Sequence, residues 1–216
     1  MQPGTVDYDQ AYYQSRESWP DFRIEADLIT RLAHLTSRAT VLEIGCGSGE
    51  LLRRLAPGSK LAIGIDLSGE GLSLARARMV AYRLSSSRLL KARAESLPFA
   101  DGSFDAVVSQ HLLEHIHAPI EALREWRRVL RPGGVVALVT PNALYPDPAL
   151  FYDPSHADLF TPDTLRSVLE SAGFNVVHLS TLFPYLGRGR IARALSIRVA
   201  PIACRLRSFD SSGRSL

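Results

Sequence analysis

Short apolar runs alternate with helix-forming segments from about residue 39 to residue 180. The runs are rich in aliphatic and β-branched residues, and such runs between turn signals predict buried strands. The predicted strands cover residues 39–44, 61–66, 88–91, 104–109, 135–140 and 174–180. Strands that alternate with helices favour an α/β protein built on a parallel sheet.

Several predicted helices have recognisable ends. Ser68 is a predicted N-cap for a helix that runs to Arg83, and a second helix at 121–130 ends before a proline and two glycines. Near the end of the repeating pattern, Thr161 is a predicted N-cap, Pro162 the first helical residue and Gly173 the residue just past the helix. These signals place the helix boundaries without reference to packing.

Two segments stand outside the alternation. Residues 7–36 hold an aromatic cluster and then Ile24, Leu28, Leu32 and Leu35 at helical spacing, which predicts a cap over one sheet edge. Residues 141–160 are too long for a simple connection and too aromatic for a linker, so we predict a substrate lid there. The predicted organisation is a cap at 1–38, a core at 39–180 and a basic tail at 181–216.

Composition excludes several classes of protein. With 216 residues, 46% of them hydrophobic, the chain can bury a core, and no apolar run reaches the roughly 20 residues of a membrane span. Cys46 and Cys204 lie far apart, which argues against a disulfide framework or a zinc knuckle. The net charge of +3 gives no overall signal for nucleic-acid binding, and without an export signal we expect a cytoplasmic protein.

The clearest chemical signal is VLEIGCGSGE at 41–50, a strand that leads into three alternating glycines and a helix. Glycines let a ligand approach the backbone, and a helix N-terminus offers free N–H donors. The nicotinamide pattern requires a glycine where Glu50 stands, which disfavours a dehydrogenase. Asp66 ends the second predicted strand, where a carboxylate can accept hydrogen bonds from a ribose diol. These features together predict a nucleoside ligand.

The sequence resembles the class I S-adenosylmethionine-dependent methyltransferases, in particular the small-molecule branch that includes ubiquinone-biosynthesis-type enzymes. Four segments carry the resemblance: ExGxGxG at 43–49, GIDLS at the end of the second strand, the stretch 92–116, and RVLRPGGVVALVTPN at 128–142. The resemblance implies a Rossmann-like, doubly wound, mostly parallel sheet of six or seven strands with helices on both sides.

The resemblance also implies S-adenosylmethionine as cofactor and assigns residues to it. Glu43 and the loop glycines would hold the methionyl end, Asp66 the ribose hydroxyls and Ala94 the adenine edge, with Leu67 against its face. The full implied set is Glu43, Gly45, Cys46, Gly47, Gly49, Asp66, Leu67, Ala94, Glu95 and Gln110. Arg93 stands where relatives usually carry the aspartate that binds the adenine amino group.

Residues 111–115 form His-x-x-Glu-His, which also occurs in zinc proteases. The helix expected there follows a strand at the carboxyl edge of the sheet, so we expect no metal and prefer the acceptor-site sequence of the methyltransferases. His115, His111 and His156 are candidates for a general base, because imidazole can remove a proton from a hydroxyl acceptor. Structural histidines remain the alternative at each position.

Two further features allow a functional or a structural interpretation. Tyr12, Tyr13 and Trp19 could close over the cationic sulfonium or could serve in packing. The arginines between 188 and 207 could contact an anionic membrane or substrate, or could be solvated on a docked helix.

Taken together, the sequence predicts a methyltransferase that acts on a small-molecule or lipid-linked acceptor, with oxygen as the expected site of methylation. The alternative is a non-catalytic nucleoside-binding module of the same fold. A nucleic-acid substrate is disfavoured, because no N/D-P-P-Y-type tetrapeptide follows the fourth strand.

Overall fold

The computed structural model describes residues 8–18, 20–144, 155–181 and 202–205. Its strands are β1 (Thr40–Ile44), β2 (Leu61–Asp66), β3 (Ser87–Lys91), β4 (Phe104–Gln110), β5 (Leu130–Val139), β6 (Asn175–His178) and β7 (Ile202–Arg205). Its helices are α1 (Gln10–Ser18), α2 (Pro20–Leu32), α3 (Glu50–Leu55), α4 (Gly69–Ala81), α5 (Pro119–Val129) and α6 (Pro162–Ser171).

The strands form one sheet in the order β3-β2-β1-β4-β5-β7-β6. The first five strands in this order are parallel to one another, and β7 pairs antiparallel with both β5 and β6. The prediction of a mostly parallel, Rossmann-like sheet flanked by helices is therefore confirmed.

The topology brings the predicted ligand-binding segments to one edge of the sheet. Strand β1 lies between β2 and β4, with Val41 opposite both Ala62 and Ala106. Since the three strands are parallel, their carboxyl ends meet, and chain segments that leave this edge form the ligand crevice of open α/β sheets. The glycine loop, Asp66 and Gln110 all lie at these ends.

Two apolar clusters cover the two faces of the sheet. One contains Leu42, Val107 and Val136 with the buried side chains of α5 and α6. The other contains Val41, Ala106 and Val108 with residues of α2 and α3. The alternation of side chains along each strand separates these two clusters.

Helix α2 covers a face of the sheet, which corrects the predicted position over a sheet edge. Its buried apolar residues are Ala26 and Ile29, and Ala33 just past its end is also buried, whereas Ile24 is 45% exposed. The predicted apolar stripe is therefore rotated by about one residue. Small side chains at the contact let the helix lie close to the strands, and a pattern of large apolar residues does not reveal this.

The predicted helix caps are confirmed. The Ser68 hydroxyl accepts a hydrogen bond from the Gly71 N–H at 2.9 Å at the start of α4. Thr161 and Thr164 form a capping box at the start of α6, Pro162 is its first residue, and Gly173 follows it with φ +88°. Local hydrogen bonding thus determines these boundaries.

The C-terminal boundary of the core needs correction. Strand β7 lies within the predicted tail at 181–216, yet it completes the sheet between β5 and β6. Strand β7 was not predicted because the region is rich in arginine, whereas strand pairing depends on the backbone. The arginines from 188 to 198, most of the predicted lid (residues 145–154) and Trp19 lie outside the described residues.

Within the described part of the chain, no helix combines the length and apolar character that a bilayer crossing requires.

Among the described residues, Trp126 is the largest fully buried side chain, and its indole N–H donates to the Ala94 carbonyl at 3.0 Å. We expect Trp126→Ala to lower the free energy of unfolding by about 3–5 kcal/mol, because the change leaves a cavity and an unpaired carbonyl. Denaturant unfolding measures this loss. The matched control is Val80→Ala on α4, which is 73% exposed and should change stability by less than about 0.5 kcal/mol. Equal effects of the two changes would contradict the role of Trp126 in the core.

Candidate cofactor and acceptor site

The chain turns sharply after β1 into the glycine loop, residues 45–49. Gly45, Gly47 and Gly49 have φ of +75°, +46° and +78°, a region that other residues rarely adopt. The backbone N–H groups of Gly45 and Cys46 both donate to the Ile65 carbonyl at 2.9 Å, which fastens the loop to the end of β2. The loop therefore depends on glycine for its conformation and on β2 for its position.

Limited space around Gly47 and Gly49 is a second reason for glycine at these positions. A Cβ at Gly47 would lie 2.7 Å from Cε1 of Tyr13, and one at Gly49 would lie 2.9 Å from the Cβ of Ala75. The absence of a side chain at Gly47 thus leaves room for Tyr13 of α1, whereas its absence at Gly49 leaves room for helix α4. Gly49 serves helix packing and does not line the cavity, although the resemblance assigned it to the cofactor.

Asp66 joins the two loops at the carboxyl ends of β1 and β2. Its Oδ2 accepts a hydrogen bond from the Gly47 N–H at 2.7 Å, and its Oδ1 accepts one from the Ser68 N–H at 2.8 Å. A carboxylate has about four acceptor positions, so two positions remain for hydroxyl donors. The same group can organise the loops and bind a ribose diol.

A cavity of about 670 Å³ opens beside these loops. Its size lies within the range of small-molecule and cofactor sites. Apart from Gly49, the structure brings all the predicted cofactor residues to its wall: Glu43, Gly45, Cys46, Gly47, Asp66, Leu67, Ala94, Glu95 and Gln110. His111 and His115 also line the cavity, whereas His156 is absent from the lining given by the described residues.

Two of these residues are buried below the glycine loop. Burial, followed by the nearby charge of Asp66, raises the pKa of Glu43 well above its usual range. Its Oε2 atom is buried and has no hydrogen-bond partner among the residues that the structure describes. Burial also raises the pKa of the Cys46 thiol, whose Sγ would lie 2.9 Å from a Cβ placed at Gly64. The cysteine side chain therefore fills space against β2.

A buried ion pair joins the N-terminal cap to the end of β4. Glu25 on α2 accepts from the Gln110 side chain at 2.8 Å and lies 2.6 Å from Nε2 of His111. Burial is the largest single influence on the pKa of His111 and disfavours the charged imidazole, but the charge of Glu25 and the hydrogen bonds to Glu114 and Glu25 together raise this pKa to about 9. Burial likewise opposes the charged form of Glu25, but the charge of His111 and the hydrogen bonds from His111 and Gln110 together lower the pKa of Glu25.

Glu25 was missed by the sequence analysis because it lies among apolar positions of α2 and far along the chain from its partners. A glutamate inside an otherwise buried helical stripe is the only signal that could have indicated it.

A second polar cluster lies at the start of the connection between β4 and α5. Glu114 is almost fully buried and accepts from the Thr140 hydroxyl at 2.9 Å. His115 packs edge-on against His156, with ring centroids 4.9 Å apart. One ligand atom each from Glu114, His115 and His156 lie within 4.8 Å of one another, so these residues could offer a carboxylate and two imidazoles to a metal ion. Our expectation that no metal binds stays a prediction.

The zinc-protease interpretation fails on local structure. That motif requires both histidines on one helix. Here Leu113–His115 form a single 3-10 turn, and His111 precedes it with φ +53° and pairs with Glu25. The two histidines of the motif therefore do not lie on one helix, although Oε1 of Glu114 is 3.4 Å from Nδ1 of His111.

Side chains from residues 8–17 line the cavity beside the glycine loop. Tyr12 contacts Tyr13 edge-to-face with ring centroids 5.4 Å apart, and burial raises the pKa of the Tyr13 phenol above its ordinary value. Arg93 also lines the cavity, and its exposed guanidinium lies 3.4 Å from the Glu95 carboxylate. The tyrosines predicted to close over the cofactor are thus placed beside the glycine loop, with Trp19 outside the described residues.

The site fits S-adenosylmethionine on its own geometry. The glycine turn leaves the backbone accessible, Asp66 retains free acceptor positions, and one buried carboxyl oxygen of Glu43 has no hydrogen-bond partner in the described part of the chain. A nucleoside joined to an amino acid has the hydroxyl and ammonium donors that such groups accept.

Comparisons with known proteins agree with this description. Residues 42–138 match a methyltransferase domain family. A Mycolicibacterium smegmatis protein whose name reads "Probable S-adenosylmethionine-dependent methyltransferase" is 33% identical over 157 residues, which are 72% of this chain and 59% of that protein. The chain thus spans about three fifths of that relative's length.

A ubiquinone biosynthesis O-methyltransferase of Pseudomonas paraeruginosa is 35% identical over 109 residues, covering 48% of this chain and 44% of that enzyme. Among solved structures, a SAM-dependent methyltransferase from Aquifex aeolicus has a TM-score of 0.70 at 17% identity, covering 94% of this chain and 100% of that one. This structural likeness shows the shared fold. The domain match over residues 42–138 and the named relatives show that the chain belongs to the S-adenosylmethionine-dependent methyltransferases, and its fold is that of class I.

Proposed function

We propose that this protein transfers the methyl group of S-adenosylmethionine to a hydroxyl oxygen of a small, largely apolar acceptor. The observation that carries the proposal is a single cavity lined both by the glycine loop with Asp66 and by His115 with aromatic side chains. A donor and an acceptor bound in that one cavity would lie side by side.

Residues at the ends of β1 and β2 form the cofactor part of the proposed site. Asp66 would accept hydrogen bonds from the ribose hydroxyls, Ala94 would contact the adenine, and the glycine loop with Glu43 would hold the methionyl end. When bound, the sulfonium cofactor supplies an activated methyl group, so alignment of the two reactants can provide much of the acceleration.

The acceptor part of the proposed site is apolar and aromatic. Tyr8, Tyr12 and Phe22 line the cavity from the N-terminal cap, and Leu112 and Ile116 line it from the segment after β4. Such walls suit a flat or apolar small molecule. The likeness to a ubiquinone biosynthesis O-methyltransferase supports an oxygen acceptor.

His115 is our proposed general base. Its Nδ1 lies 3.1 Å from the Ser155 carbonyl oxygen, which can only accept a hydrogen bond. The Ser155 hydroxyl also lies 3.0 Å from Nδ1 and can donate or accept a hydrogen bond. We assign the proton to Nδ1, where both Ser155 oxygens can accept it, so that Nε2 keeps a lone pair for the acceptor's hydroxyl proton.

The other two candidate histidines are less suited to that role. With a pKa of about 9, His111 is an imidazolium at neutral pH and has no lone pair to accept a proton. His156 packs against His115 and does not line the described cavity wall. We therefore assign His111 to the ion pair with Glu25 and His156 to the support of His115.

Two alternatives can be tested directly. A lipid-linked acceptor is the second acceptor class, motivated by the arginines at 188–207, most of which lie outside the described residues. A non-catalytic nucleoside-binding module differs from the proposed enzyme by forming no methylated product.

Asp66→Asn should weaken the binding of S-adenosylhomocysteine by about 10- to 100-fold, because the change removes charge-assisted hydrogen bonds to the ribose and the loops. Calorimetric titration measures the affinity, and Asp163→Asn at the exposed start of α6 is the matched control. Unchanged affinity in Asp66→Asn would contradict the proposed cofactor site.

His115→Gln should lower the turnover number by about 10²- to 10⁴-fold, because the hydroxyl acceptor loses its base. The affinity for S-adenosylhomocysteine should stay within about twofold, since His115 serves the acceptor. Transfer of a labelled methyl group to a panel of phenols and catechols, including a prenylated member, provides the measurement. His178→Gln on strand β6 is the control.

Full turnover in His115→Gln would remove His115 from the mechanism. No transfer by the unaltered protein to any acceptor would favour the non-catalytic alternative.

The pair of His111 and Glu25 should make stability depend on pH in the neutral to basic range. The folded pKa of His111 is raised to about 9 from an ordinary value of about 6.5. Its stabilisation is therefore complete below about pH 6.5 and is lost as the pH rises through about 9. The free energy of unfolding should fall over this range, and Glu25→Gln should reduce the dependence. The same slope in Glu25→Gln as in the unaltered protein would contradict the ion pair.

A further inference from the structure

Helix α1 covers the cofactor loops without an apolar core of its own. No residue of Gln10–Ser18 is buried, yet this helix contributes Tyr12, Tyr13, Arg16 and Glu17 to the cavity wall. Elements with few buried apolar contacts open at low free-energy cost. The attachment of α1 must therefore depend largely on specific polar contacts.

Arg78 on α4 makes the most extensive of these contacts. Its Nη1 and Nη2 donate to the two carboxylate oxygens of Glu17 on α1, each at 2.8 Å. Its Nη1 also lies 3.3 Å from the Ser48 hydroxyl of the glycine loop and 3.5 Å from the Glu50 carboxylate of α3. Arg78 thus joins the helix to the cofactor loop through a two-pronged ion pair.

The burial of this ion pair increases its strength. The side chains of Arg78 and Glu17 are only 22% and 21% exposed. Solvent therefore screens the pair less than it screens a surface salt bridge. Glu17 also hydrogen-bonds to the Ser48 hydroxyl, and the Gln10 N–H donates to Glu70 at 3.1 Å.

Tyr13 of α1 lies over the glycine loop. Its ring lies across the backbone of Gly47, and its hydroxyl would lie 2.6 Å from a Cβ placed at Gly71. The tyrosine therefore bridges the glycine loop and the start of α4, next to Asp66. A ligand that binds along the glycine loop passes this side chain when it enters or leaves.

From these contacts we infer that the pair of Glu17 and Arg78 is a latch that holds α1 closed and sets the rate of cofactor exchange. Arg78 is a positioning residue: it does not line the cavity and acts through Glu17 and Ser48. The inference rests on the proposed function, because it assumes that the cofactor binds beside the glycine loop.

The latch has a distinctive kinetic consequence. The same ion pair would close the helix with and without a ligand, since Arg78 does not line the cavity. A weaker latch raises the open fraction of both the free and the bound protein by the same factor. Entry and release then accelerate equally, and the dissociation constant stays unchanged. A residue that contacts the ligand would instead change the dissociation constant.

The test compares Arg78→Lys with Arg166→Lys. The first change keeps the charge and loses the two-pronged geometry, and the second makes the same change at an exposed pair with Glu170 on α6. Surface plasmon resonance with S-adenosylhomocysteine gives the association and dissociation rates. We expect both rates to rise by about tenfold in Arg78→Lys, with the dissociation constant within about twofold. Arg166→Lys should match the unaltered protein.

A second measurement needs no ligand. Hydrogen exchange of the amides in residues 10–18 should accelerate in Arg78→Lys and in Glu17→Gln, while exchange in β1 and β4 stays unchanged. This result tests the latch even if the unaltered protein fails to bind S-adenosylhomocysteine, a failure that would contradict the proposed function instead. Unchanged association and dissociation rates together with unchanged hydrogen exchange would overturn the latch. A larger dissociation constant caused by faster release alone would also overturn it.

Discussion

The site depends above all on the carboxylate of Asp66. Its two oxygens accept the Gly47 and Ser68 N–H groups, and so it joins the loop after β1 to the loop after β2. These two N–H groups lie outside the pairing of the strands, and unpaired backbone donors near the interior are costly. One side chain at the end of β2 therefore satisfies two donors and defines the gap between the loops.

The glycines at 45, 47 and 49 also serve to position the loop after β1 against β2. The turn after β1 must reverse within a few residues so that Gly45 and Cys46 can donate to Ile65. A positive φ at alternate positions achieves this reversal, and glycine adopts it without strain. The loop then leaves room for Tyr13 on one side and for helix α4 on the other.

The charged side chains buried around the site have oppositely charged or hydrogen-bonding partners. Glu25 is matched by His111, and Glu114 is near the same histidine and the Thr140 hydroxyl. Arg78 is shared by Glu17, Ser48 and Glu50. Each group joins elements that are distant in the chain, and breaking a buried pair is costly. The charges thus fix the positions of α1, α2 and the segment after β4 around one cavity.

The C-terminal region illustrates a different principle. Strand β7 comes from an arginine-rich stretch, yet it pairs with β5 and β6. Strand pairing is a backbone interaction, and a polar composition does not prevent it. The strand separates β5 from β6 and completes the sheet at that side.

The sequence by itself determined the features that short-range chemistry controls. The alternating strands and helices, the Ser68 and Thr161 caps, the glycine turn and Asp66 all follow from hydrogen bonds or backbone preferences within a few residues. The tertiary structure alone decided the features that join distant segments. Glu25 meets His111 across 86 positions and Glu17 meets Arg78 across 61, and nothing local in the sequence encodes such encounters. The same holds for the surroundings of the two histidines, since His111 pairs with Glu25 and His115 contacts Ser155.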